Sequence, residues 1–124
     1  MTPTRVLIVD DVEQVRRDLF TALSLSGELE IVGEAANGLE AIRMTESLKP
    51  DVVLIDLEMP VMDGYEATRR IKSLCPSRRV IALTVHDYES AREQAHRSGV
   101  DAFLVKGASV ESIVQAILNS APAA

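Results

Sequence analysis

The chain has 124 residues, of which 47% are apolar and 26% charged, and its formal net charge at pH 7 is -6. That length is one domain, here residues 1–124 with a frayed tail from about 120, and the apolar fraction excludes a disordered segment. The acidic balance argues against direct nucleic-acid binding by this domain, which would need a basic face to neutralise phosphates. No apolar run approaches the roughly 18 residues of a membrane span, and the single cysteine, Cys75, forbids an internal disulfide. Because Met1-Thr2-Pro3-Thr4-Arg5 leads directly into a strand, no room is left for a secretory leader, and a cytoplasmic location is expected.

Five apolar runs alternate with five segments of helical period. Val6-Leu7-Ile8-Val9 forms the first strand and stops at the acidic pair Asp10-Asp11. Val12, Val15, Leu19 and Ala22 or Leu23 then recur at helical spacing, and Gly27 closes that helix. The second strand, residues 30–35, carries Glu30 and Glu34 and is therefore placed at an edge, where charge blocks unwanted pairing. Asn37 caps the next helix with Glu40 three residues on, and Leu39, Ile42 and Leu48 form its apolar side. Val52-Val53-Leu54-Ile55 reads as a central strand buried on both faces, ending at Asp56. Asp63, followed by Glu66, caps a third helix with Ala67, Ile71 and Leu74 inward. The fourth strand is residues 79–84, and its helix, residues 89–98, offers only Ala91 and Ala95 for burial. The fifth strand, residues 102–105, ends at Lys106-Gly107. Ser109 then caps a helix with Val110, Ile113, Val114 and Ile117 on one face. This alternation implies an α/β, doubly wound (βα)5 flavodoxin-like fold with right-handed crossovers, and placing the polar second strand at an edge gives the parallel order 2-1-3-4-5.

In such a sheet all strand C-termini share one rim. Asp10 and Asp11, Asp56, Thr84 and Lys106 follow four different strands and so converge, in the crevice where open α/β sheets bind ligands. Crowded carboxylates raise one another's pKa, and a divalent cation removes that cost. Oxygen ligands without His or Cys favour a hard ion, here Mg²⁺. Lys106 opposite the metal completes a cradle for a dianionic group. Asp56 can then act as a nucleophile in aspartyl-phosphate chemistry, with Thr84 donating to a phosphoryl oxygen. A structural Lys–Asp ion pair flanked by two capping acids is the competing arrangement.

With Val-Asp-Asp at 9–11, Leu-Ile-Asp-Leu-Glu-Met-Pro-Val-Met-Asp-Gly at 54–64, Ala-Leu-Thr at 82–84 and Ala-Phe-Leu-Val-Lys at 102–106, the chain resembles the receiver domain of bacterial two-component response regulators over essentially its whole length. The resemblance implies that Asp56 is the phosphoacceptor, fed by a sensor histidine kinase. Asp10, Asp11, Asp56 and the backbone carbonyl of Glu58 would hold Mg²⁺, Thr84 and Lys106 would contact the phosphoryl group, and Phe103 would be the aromatic switch residue. Lys-Gly-Ala-Ser at 106–109 is similar to receivers that precede a LuxR-type helix-turn-helix domain, so transcription control through an attached or separate output is implied. Two positions depart from the common pattern. Gly107 stands where the family often has proline after the lysine; a cis bond before a non-proline residue costs about 2.5–4 kcal/mol, so a trans bond is expected. Phe103 replaces the common tyrosine and lacks its hydroxyl.

Glu58 and His86 lie two residues after Asp56 and Thr84 and border the site, where they would tune the lifetime of the aspartyl phosphate. The weakly anchored fourth helix, with the fifth strand and fifth helix, forms a candidate partner face that phosphorylation would remodel, giving a homodimer or a target contact. The domain is expected to catalyse only its own phosphorylation and dephosphorylation. One competing function is a Mg²⁺-dependent aspartyl-phosphate phosphatase, which would want a second Asp where Glu58 stands. Another is flavin binding, disfavoured because Asp10-Asp11-Val12-Glu13 would repel a phosphate.

Overall fold

The computed structural model describes residues 2–85 and 87–119. The elements follow in strict alternation: β1 (Thr4–Val9), α1 (Glu13–Ser24), β2 (Leu29–Ala35), α2 (Gly38–Leu48), β3 (Val52–Ile55), α3 (Gly64–Leu74), β4 (Arg79–Thr84), α4 (Glu89–Ser98), β5 (Ala102–Val105) and α5 (Val110–Asn119). All pairings are parallel and the sheet order is β2-β1-β3-β4-β5, as expected from the polar second strand. The expected frayed tail at 120–124 lies outside the described residues.

Successive strand residues point to opposite faces, so each central strand feeds two cores. Val6, Ile8, Val52, Leu54, Ile81 and Leu83 face α1 and α5, where Leu23, Ile113, Val114 and Ile117 cover them. Leu7, Val9, Val53, Ile55 and Val80 face α2 and α3 and are covered by Ala41, Ala67 and Ile71. A smaller cluster of Leu57, Tyr65, Ala82 and Ala95 joins α3 to α4 at the rim. Three helix starts are capped as expected: Asn37 accepts from the Glu40 N–H, Asp63 from the Glu66 N–H, and the Ser109 hydroxyl from the Ser112 N–H. The sheet is not regular throughout. The β1–β2 register slips between Val6 and Leu7, which leaves Val32 as one extra residue in β2.

Several apolar positions fall outside the expected stripes. Leu39 and Leu74 are 37% and 60% exposed, while Ala41, Thr45, Ala67, Thr68 and Ile71 are buried. Small residues near the middle of α2 and α3 let these helices sit close to the sheet, and the larger leucines at the helix ends project beyond the contact. Val12 and Val110, at the starts of α1 and α5, are also exposed. Gly27 does not close α1. The helix ends at Ser24, and Gly27, with φ of 76°, serves the turn into β2. Past α2 it is Lys49, with φ of 51°, that takes the left-handed position. There is no cis peptide bond among the described residues, so the bond before Gly107 is trans as expected.

Gly64 opens α3 directly against the end of β3. Its N–H donates to the Leu57 carbonyl at 2.9 Å, and a Cβ there would stand 2.3 Å from the Asp56 carbonyl oxygen and 2.7 Å from Leu57 Cα. Both obstacles are backbone, so neither can swing aside. Gly64→Ala is expected to destabilise the domain by about 1–3 kcal/mol, the usual range for an overpacked site, read as a lower urea midpoint at unchanged slope.

Candidate functional site

The rim at the C-terminal ends of the strands is built by backbone continuity. The Asp10 N–H donates to the Ala35 carbonyl and the Asp56 N–H to the Val9 carbonyl, so both acids extend the ladders of β1 and β3 by one residue. The Lys106 N–H donates to the Thr84 carbonyl at 2.7 Å, which carries β5 one step further along β4. These four residues from four strands are thereby brought to one edge. Asp10, Asp56 and Thr84 are buried, and Asp11 is exposed.

Lys106 reaches across this edge. Its Nζ lies 2.7 Å from Asp10 Oδ2 and 3.3 Å from Asp56 Oδ2. The other carboxylate oxygens are also engaged: Asp10 Oδ1 accepts from the Val12 N–H at 2.9 Å and Asp56 Oδ1 from the Glu58 N–H at 3.3 Å. Burial raises the pKa of Asp56 above the ordinary carboxylate value. Lys106 opposes that rise, and the neighbouring charge of Asp10 adds to it. For Lys106 burial acts downward, but the bond to Asp10 and the charge of Asp56 outweigh it and hold the amine above its ordinary value. Asp10, Asp11 and Asp56 each offer an oxygen within 4.8 Å of the others. An all-oxygen donor set of carboxylates with a charge excess over the single ammonium fits a hard divalent cation, and Mg²⁺ sites commonly use one or two such carboxylates with waters and a phosphate.

The loop after Asp56 is tightly wound. The Met62 N–H donates to the Pro60 carbonyl at 2.9 Å across Val61, whose φ is 72°. That is a γ-turn with a β-branched residue in the left-handed region, a strained conformation beside the acid cluster. Glu58 is exposed on this loop. His86, also expected to border the site, lies outside the described residues. Phe103 is half-buried against the cluster of Leu57, Tyr65, Ala82 and Ala95. Sequence reasoning did not find Arg92, whose guanidinium lies 4.6 Å from the centre of the Phe103 ring and whose Nε pairs with Asp87 at 2.6 Å. A lone arginine on a polar helix carries no signal of such a contact.

Residues 6–118 match the sequence profile of the response regulator receiver domain. The chain belongs to the response regulator receiver family. The response regulator protein VraR of Staphylococcus saprophyticus is 40% identical over 115 residues, 93% of this chain and 55% of that protein. The VraR of Staphylococcus aureus is 42% identical over 113 residues, 91% of this chain and 54% of its own. This receiver domain thus spans about half the length of the curated relatives it matches. Among solved structures, the signal receiver domain of NarL from Mycobacterium tuberculosis aligns with a TM-score of 0.92 and 35% identity over 96% of both chains. A LuxR-family DNA-binding response regulator from Staphylococcus aureus aligns at 0.89 and 32% identity, covering 94% of this chain and 98% of that one. The five-stranded parallel order found here is the receiver fold, and the family is one of two-component signalling proteins.

Burial of Asp56 on this rim, beside a second acid, has a consequence for stability. Because the folded pKa of Asp56 is raised, its charge disfavours the fold at all pH values above that pKa, and the penalty vanishes once the group is protonated in both states. In metal-free buffer at neutral pH, Asp56→Asn is expected to raise the melting temperature by a few degrees, equivalent to about 1 kcal/mol. Lys106 keeps its shorter partner, Asp10, in this variant. The gain should shrink toward zero as pH falls below about 4, the ordinary carboxylate value, which calorimetry from about pH 3 to about pH 8 would follow.

Proposed function

We propose that the domain is a phosphorylation-dependent switch of a two-component system, in which Asp56 takes a phosphoryl group from the phosphohistidine of a sensor histidine kinase. A single observation carries this reading: the Lys106 amine bridges Asp10 and Asp56 on a rim where a third acid, Asp11, stands within ligand distance. In the proposed transfer a carboxylate oxygen of Asp56 forms a bond to phosphorus as the phosphorus–nitrogen bond of the donor breaks, and the electron pair stays on the imidazole. Lys106 and Thr84 take the phosphoryl oxygens, which supplies the charge stabilisation that phosphoryl transfer chiefly needs. Asp10, Asp11, Asp56 and the Glu58 carbonyl would hold Mg²⁺, which when bound neutralises charge on the phosphoryl oxygens. Glu58 and His86 would set the phosphoryl lifetime through access of water. The longer relatives, and a LuxR-family DNA-binding response regulator among the similar solved structures, support a transcriptional output through a further domain, which would work in the cytoplasm.

Small-donor chemistry tests the reading without knowledge of the kinase. Acetyl phosphate with Mg²⁺ should label the protein once, and labelling should be lost in Asp56→Asn and on chelation of the metal. Turnover of many acetyl phosphate molecules by each protein molecule would point instead to a phosphatase. Glu58→Asn and His86→Ala should change the decay rate of the labelled form; unchanged rates would remove both residues from the tuning role.

Thr84 leads into the loop before α4, and α4 buries only Ala91, Ala95 and Ser98. So few anchors suit an element whose population can be shifted at small cost. Phe103 and the face of α4, β5 and α5 would respond to Thr84 moving toward the phosphoryl group. Beryllofluoride with Mg²⁺ is expected to change hydrogen exchange in α4 and β5 and to raise the dimer fraction or expose a target-binding face. Identical exchange and identical size in both states would refute the proposed switch.

A further inference from the structure

Behind the acid cluster, one cation is largely withdrawn from solvent. Arg16, near the start of α1, has a side chain 15% exposed. Its Nη1 donates to the backbone carbonyl of Asp10 at 2.7 Å, and its Nε lies 3.4 Å from Glu34 Oε1. Three elements meet in this contact: the end of β1, the start of α1 and the end of β2.

The irregularity in the sheet is what makes the contact possible. Registered residues of a parallel pair point to the same face. Ile31 registers with Val6, on the face covered by α1 and α5. After the extra residue Val32, Glu34 registers with Ile8, which lies on that same face. Without the slip Glu34 would stand beside Val9 and point to the other face, under α2, beyond the reach of Arg16. A bulge that re-aims a side chain beside a functional rim is a common use of such a feature.

The geometry points to Arg16 as a positioning residue for metal binding: held by Glu34, its guanidinium fixes the Asp10 carbonyl and the turn that presents Asp10 and Asp11. The same turn is closed from the other side by the Val12 N–H, which donates to Asp10 Oδ1. The two-pronged guanidinium spans both partners, which a lysine amine cannot do with one point of charge. This inference rests on the reading of Asp10, Asp11 and Asp56 as the metal ligands. It adds that the affinity of the site is set partly by a residue that touches neither metal nor phosphoryl group.

Charge and position make opposite predictions here. Deleting a cation close to a metal site should tighten Mg²⁺ binding if charge alone matters. If Arg16 positions the acids, its loss should weaken binding by about tenfold, the lower end of what supporting contacts contribute at metal sites. The experiment is a Mg²⁺ titration of the unphosphorylated protein followed by amide NMR shifts. Arg16→Met is expected to bind about tenfold more weakly, and Arg16→Lys, which keeps the charge, should also bind more weakly than the parent. Both should exchange the Val12 amide faster.

Lys72→Met is the control. Lys72 is 20% exposed, pairs with Asp101 at 3.0 Å and donates to the Arg78 carbonyl near the opposite end of the sheet. Its loss should lower the melting temperature and leave the Mg²⁺ affinity unchanged. Unaltered or tighter binding in both Arg16 variants would overturn the inference, as would an equal weakening in Lys72→Met. A parent protein that binds no Mg²⁺ would overturn the underlying metal-site reading as well.

Discussion

The ammonium of Lys106, shared between the carboxylates of Asp10 and Asp56, is the interaction on which the functional rim depends. Without it, two buried acids and the adjacent Asp11 would face one another with no side-chain countercharge on the rim among the described residues. With it, the cluster remains acid-rich, and Asp56 still titrates above the ordinary range. The domain therefore folds around a group of charges that one lysine holds together without neutralising them. Burial of Asp56 beside a second acid leaves a charge that a further countercharge would relieve.

Everything else in the architecture serves to bring these residues to one place and keep them there. The two cores hold β1, β3 and β4 with hardly any exposed apolar surface, so the strand ends are rigid mounts. From those mounts the acids project only one residue beyond the ladder, with their own N–H groups still paired. Side chains placed on the ends of packed strands are better defined than side chains placed along a loop. The neighbouring loop is also constrained, through the γ-turn at Val61 and the contact of Gly64 with the Asp56 backbone.

Rigidity falls away toward β5. Its residues are only partly buried, and α4 contributes two alanines and a serine to the interior. Phe103 stands between these elements, held by the edge of the rim cluster and by Arg92, which is itself tied to Asp87. The molecule thus joins a tightly packed acidic rim to a less buried flank, with an aromatic side chain at the junction. A well-packed rim beside a lightly anchored flank is the kind of contrast through which a local change can alter a larger surface.

Much of this was legible in residue order because the relevant signals are local. Apolar runs of four residues, capping residues at Asn37 and Asp63, and the polarity of β2 suffice for the element order and the sheet order. Once the sheet is parallel, covalent continuity alone sends Asp10, Asp56, Thr84 and Lys106 to a common edge. Helix phase was less legible. Leu39 and Leu74 match an apolar stripe but are exposed, because small residues decide how closely a helix approaches the sheet and hydrophobicity does not encode that distance. The one-residue slip at Val32, the aim of Glu34 toward Arg16, and the stacking of Arg92 on Phe103 were decided by packing between segments far apart in the chain. Residue order determined which chemical groups reach the rim. Tertiary structure decided how they are held, because ion-pair geometry and strand register are set by neighbours that no local pattern contains.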